Sequence, residues 1–174
     1  PHGKEVIVSQ DREIRCFDYV NHPYDQVRAA LSNEPVALFH RATQAAAARA
    51  GDLASALHVN IGGFDISTDI AITVDGIVEL PGSVTSPPSI RLQIAWEGAD
   101  KPRLFPFMKA ELSAYRLTAH ETQLDFAGNY DPPLGALGDA VDAVLTHRLA
   151  EASVHRFLAD IAAHLKTELS RSDN

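Results

Sequence analysis

Between Leu53 and Tyr130 the apolar residues of this chain recur every second position, and from Leu134 to about Leu169 they recur every three or four. A period of two belongs to strands with one buried face, and a period of 3.6 to a helix with a buried stripe. Sheet must therefore come first and a long helix second. The change falls at "NYDPPLGALG", residues 129–138. Pro132 and Pro133 lack an N–H and hold φ near helical values, so they can begin a helix and cannot prolong a sheet. Asp131 can accept from the first free amides as an N-cap. Gly135 and Gly138, one turn apart, leave a notch that lets a helix lie close across a sheet.

The strands themselves can be placed. "REIRCFDYV" sets Ile14 and Cys16 against Phe17 and Tyr19. Leu53, Leu57, Val59 and Ile61 share a face, and Gly62-Gly63 then gives a hairpin signal. Ile66, Ile70, Ile72 and Val74 share a face on the return strand. Asp75-Gly76 predicts another hairpin, into a short strand from Ile77 to Leu80. "PGSVTSPPS" is a loop. The cleanest alternation is Ile90, Leu92, Ile94 and Trp96 opposite Arg91, Gln93 and Glu97. "FMKAELSAYRLT" and "TQLDFAGNY" complete a set of seven strands, the last six consecutive, as in a meandering antiparallel sheet. Between the first strand and the rest, "NHPYDQVRAAL" predicts a short helix entered at Pro23. The alanine-rich segment 34–51 predicts a second helix stopping at Gly51.

The C-terminal helix has two apolar stripes. Leu134, Leu137, Val141, Leu145 and Ala152 lie on one side, while Val154, Phe157, Leu158, Ile161 and Leu165 centre more than a third of a turn away. Its two halves are thus expected to bury different faces.

Composition narrows the partners. The chain has 174 residues, 45% apolar and 22% charged, which suits one globular domain. Its formal net charge is −8, and no lysine/arginine cluster offers the phosphate neutralisation on which nucleic-acid binding depends. No run approaches the roughly 18 apolar residues of a membrane span, so no membrane insertion is expected. The lone Cys16 has no internal disulfide partner, which fits a cytoplasmic location. The only methionine is Met108, so the start at Pro1 reads as trimmed or vector-derived.

The order of strand, two short helices, six strands and one long helix resembles the helix-grip fold of the START / Bet v 1-like (SRPBCC) superfamily, which includes polyketide cyclase-like and lipid-transfer proteins. Two segments carry the likeness: "YVNHPYDQVRAAL" and "TQLDFAGNYDPPLGALGDAVDAVLTHRLAEASVHRFLADIAAHL". The resemblance spans about Arg12 to Leu169. It implies an α+β helix-grip domain over 12–170, with 1–11 an N-terminal extension and 171–174 a tail. A seven-stranded curved antiparallel sheet would wrap the C-terminal helix around an apolar cavity. The second helix is richer in alanine than the family pattern, and no signature names a ligand.

The wall residues expected for such a cavity are Leu57, Val59, Ile70, Ile72, Leu92, Ile94, Trp96, Leu124, Phe126 and Tyr130 on strands, with Val141 and Leu145 on the helix. The same pattern fits a filled core, since apolar periodicity reports burial alone. Arg148 and His155 fall at 100° per residue on the side of Leu137 and Val141, where a polar group needs a partner or a ligand. The alternative is that the half-helices rotate and Arg148 reaches solvent over its own stem. Asp65 and Asp69 lie opposite the apolar face and read as solvated, as does His58, while His40 sits at a cavity rim or on the surface. The eight histidines show no HxH or HxxxH spacing, which argues against a metal. No cofactor motif and no nucleophile with an adjacent base is present, and "GALG" is too short to mean phosphate. The expected function is binding of a hydrophobic small molecule, lipid-like or polycyclic, without chemistry. The alternatives are a cyclase/dehydratase- or hydrolase-type enzyme using the same cavity, and a dimeric structural domain with a filled core.

Overall fold

The computed structural model describes residues 13–56, 70–98, 107–131 and 143–173. The first strand, β1 (Glu13–Val20), buries Ile14, Cys16 and Val20 and turns Phe17 and Tyr19 outward, as the alternation requires. Pro23 then starts α1 (Tyr24–Asn33). Its carbonyl accepts from the amides of Gln26 and Val27 at 3.1 and 3.2 Å, closing the first turn without a side-chain cap. Tyr24, Val27 and Leu31, at i, i+3 and i+7, form its buried stripe.

The second helix, α2 (Pro35–Ala56), is 22 residues long and passes through Gly51 instead of stopping there. Leu53 is therefore helical, and the strand expected at 53–61 does not begin where the alternation suggested. The rest of that strand lies outside the described residues, as does Gly62-Gly63. An alanine-rich helix backed by another element tolerates one glycine, which costs only about 1 kcal/mol.

Five strands form the sheet among the described residues, not seven. They are β1, β2 (Ile70–Leu80), β3 (Ser89–Gly98), β4 (Phe107–Thr118) and β5 (Glu121–Asp131), in the order β1-β5-β4-β3-β2, all antiparallel. The two strands expected on either side of Asp75-Gly76 are one. β2 runs straight through the dipeptide, and its pairing with β3 shifts register between Val74 and Gly76. A two-residue type I′ turn needs φ > 0 at both central residues, and Gly76 is not in that region. Asp75 is instead the extra residue of a bulge. Asp131, the expected N-cap, ends β5.

The last helix, α3 (Ala143–Ser172), spans 30 residues, roughly 45 Å at 1.5 Å per residue. Its start from Leu134 lies outside the described residues, and it continues past Leu169. α3 packs against α2 and across β1, with lighter contact to β5 and α1, while α2 covers β2. The helices thus blanket one sheet face. Val154, Phe157, Leu158, Ile161 and Leu165 are all at most 2% exposed, so the second of the two predicted stripes supplies the core.

Candidate ligand-binding site

Alternation puts Leu92 and Ile94 of β3, Met108, Ala110 and Leu112 of β4, and Leu124, Phe126 and Tyr130 of β5 on the covered face. Across the middle this face is filled. The Phe157 ring from α3 lies 6.0 Å from Phe126 and 6.0 Å from Phe39 of α2, centroid to centroid, so three elements meet on one aromatic cluster.

Towards the end of β5 the character changes. Tyr130 is 5% exposed, and its hydroxyl lies 3.0 Å from Nδ1 of His147 in the first turns of α3. The two rings are 5.9 Å apart and inclined by 36°. Either the phenol donates to a bare Nδ1 or the Nδ1–H donates to the phenol oxygen, according to the tautomer. This contact joins the last residues of the sheet to the beginning of the covering helix. It sets a hydrogen-bonding pair beside an apolar wall that includes Met108, a flexible, gap-filling side chain. Cys16 also lies on the covered face, buried. Burial first, and then the carboxylates of Asp18, Asp125 and Glu151, push its thiol from 9.0 up to about 12.

The predicted wall residues divide three ways. Ile72, Leu92, Ile94, Leu124, Phe126 and Tyr130 are buried on the covered face. Ile70 and Trp96 stand in β2 and β3 and are paired with Gly98 and Ile72, while Leu145 lies in α3. Leu57, Val59 and Val141 fall outside the described residues, as do Asp65, Asp69 and His58. Arg148 and His155 are exposed, and His155 forms a surface pair with Glu151 at 3.9 Å. The expectation that they face inward is corrected. The buried stripe of α3 is the one through Val154 and Phe157, which turns these two side chains to solvent. His40 is exposed on α2. The residue that the periodicity passed over is His147.

Neither a protein-family model nor a curated protein sequence matches the chain. Solved structures do. The chain is similar to a START superfamily protein from Mycobacterium smegmatis, at 7% identity and a TM-score of 0.45, over 89% of this chain and 97% of that one. It is also similar to a conserved protein from Geobacillus kaustophilus, at 10% identity and a TM-score of 0.48, over 89% and 95% of the two chains. A third likeness is to the ZhuI aromatase/cyclase from a Streptomyces species, at 13% identity and a TM-score of 0.40, over 92% and 96%. A likeness of fold leaves ligand and chemistry open, because function resides in the site and not in the fold.

A separate surface groove of about 310 Å³ lies on the helical side of the fold, where α1 and α2 meet α3. Asn33, Glu34, Arg41, His164 and Glu168 line it, with Leu38 at its apolar base. Its lining carries both signs of charge, unlike the apolar face beneath the helices. Among the described residues no group of three or more histidine, cysteine or acidic side chains is placed to hold a metal, and no helix is long and apolar enough to cross a membrane.

Proposed function

We propose that the protein binds a hydrophobic small molecule, lipid-like or polycyclic, between the sheet and α3 at the end marked by Tyr130 and His147. The observation that carries this reading is the Tyr130–His147 hydrogen bond, a polar pair set against a wall of aliphatic side chains. Small-molecule sites have this composition: mostly apolar lining, with a few convergent polar groups that orient the ligand. The ring cluster of Phe39, Phe126 and Phe157 packs the middle of the covered face, which supports seeking the ligand nearer Tyr130 and His147. Ile72, Leu92 and Ile94 would form part of its wall. Arg148 and His155 have no part in it.

The test is a native mass spectrum of freshly purified protein, followed by denaturation and analysis of whatever is released. An adduct that vanishes on denaturation is expected. Tyr130→Phe should retain the adduct and weaken its affinity roughly threefold to tenfold, the loss of one hydrogen bond worth about 1 kcal/mol. A clean unliganded mass, together with no saturable binding of apolar fluorescent probes, would overturn the reading in favour of a filled core.

A further inference from the structure

At the opposite end of the sheet from Tyr130, three side chains far apart in sequence come together. His22 lies between the end of β1 and the start of α1 and is 8% exposed. Its carbonyl accepts a hydrogen bond of 2.9 Å from the hydroxyl of Thr122, which is fully buried, and Pro23 follows it, so its backbone is held on both sides. Its Nε2 lies 3.3 Å from Oγ of Ser170, in the last turn of α3. Its Nδ1 lies 3.8 Å from Oδ2 of Asp173, just beyond that helix. Ser170 is exposed, and the Asp173 side chain is 56% exposed.

We propose that Ser170, His22 and Asp173 form an acyl-transfer triad that hydrolyses small carboxylic esters at the protein surface. The roles follow from the two ring nitrogens. A nucleophilic serine needs a base at one nitrogen and a carboxylate at the other, which fixes the tautomer and stabilises the imidazolium once it forms. His22 offers Nε2 to the hydroxyl and Nδ1 to the carboxylate. The buried ring is the positioned member, and the exposed hydroxyl is the reachable one. Both distances are longer than in a working complex, as is common in ligand-free sites. The site opens to solvent at the end of a helix, which suits a small ester and needs no deep cavity.

In the first step Ser170 Oγ attacks the ester carbonyl carbon while its proton passes to His22 Nε2. The tetrahedral oxyanion collapses, the carbon–oxygen bond to the alcohol breaks, and the departing oxygen takes the proton from Nε2. Water then attacks the acyl-serine and gives its proton to Nε2. Collapse releases the carboxylic acid and returns that proton to Oγ. Helix electrostatics favour the charge that develops on the ring. The carbonyl end of α3 lies beside the ring that becomes cationic. Next to His22 in the chain, the amides of Tyr24 and Asp25 open α1, where N–H groups have no acceptor within the helix and suit an oxyanion.

The experiment treats the full chain with a fluorophosphonate probe and maps adducts by intact mass and peptide sequencing, beside p-nitrophenyl acetate turnover. One adduct on Ser170 is expected. Ser170→Ala should lose both the adduct and the turnover above buffer, while Ser172→Ala, whose hydroxyl bonds the Glu168 carbonyl, should behave as wild type. Asp173→Asn, at an exposed site that folding tolerates, should slow labelling at least threefold, and His22→Gln at least tenfold. No adduct on Ser170 above that of heat-denatured protein would overturn the proposal. So would labelling of Asp173→Asn at the wild-type rate.

Discussion

Gly128, on the covered face, has no room for a side chain. A Cβ built there would stand 2.8 Å from Sδ of Met108, 2.9 Å from Cε1 of Phe126 and 3.0 Å from Cβ of Ala110. The methionine can turn aside, but the alanine methyl is fixed to β4 directly opposite, where Gly128 pairs with Ala110. Gly128→Ala should therefore destabilise the protein by about 1–3 kcal/mol, as overpacking does, seen as a lower urea midpoint at unchanged slope. Cys16 makes a pH-dependent prediction. Its thiol titrates near 9.0 when unfolded and near 12 when folded, so the folded chain holds the proton longer. The stability this residue contributes is complete below pH 9.0 and is lost as pH rises towards 12. Cys16→Ala should flatten that alkaline decline, and in the wild type iodoacetamide should reach the thiol only on unfolding. Ile14, Cys16 and Tyr130 could be read as inward-facing from alternation alone. His147 could not, because its partner stands 17 residues away in sequence, and the hydrogen bond leaves no trace in either residue's local pattern. The 148 residues between His22 and Ser170 hide that meeting more completely.

Among the elements, β1, α1, β3, β4, β5 and the body of α3 were legible because each carries one period in one register. The failures share a cause: a local signal was overruled by a neighbour. Asp75-Gly76 is a strong turn dipeptide when the chain is read alone, but β3 lies alongside and offers pairing on both sides of it, from Ile72 to Leu80. The two interpretations predict opposite outcomes for Gly76→Ala. A primed turn would resist the substitution, whereas a bulge glycine with nothing within 4 Å of a new Cβ and no positive φ should accept it. We expect thermal unfolding to show Gly76→Ala neutral or up to about 1 kcal/mol more stable, through the smaller entropy of the unfolded chain. Gly51 was misread in the same way, since packing of α2 against α3 carries the helix past a residue that would end it in isolation. Arg148 and His155 fall inward only if the stripe of Leu137 and Val141 is carried on into the second half of α3; the alternative, rotated half-helices, is the one that holds. The buried stripe begins in earnest at Val154, and its phase is the one that decides where side chains point.

For the molecule as a whole, the sheet order could be anticipated, since consecutive strands pair and the first strand has only the outer flanks of the meander to join. It joins β5: Val20 pairs with Thr122 and Glu13 with Asn129, so every rung between these strands links residues about a hundred or more positions apart. Closing such long loops must precede any reward from the contacts, which makes folding slow. Refolding from urea should take milliseconds to seconds, and a complete recovery within about 100 μs would contradict this topology. The same rungs impose an order in time on the growing polypeptide. At synthesis rates of about 5–20 residues per second, Val20 is added to the chain on the order of 5–20 seconds before Thr122 exists to pair with it. Throughout that interval the first strand, with Phe17 and Tyr19 on one side and Ile14 and Cys16 on the other, has no native rung to join. It is the nascent segment most in need of a chaperone's protection.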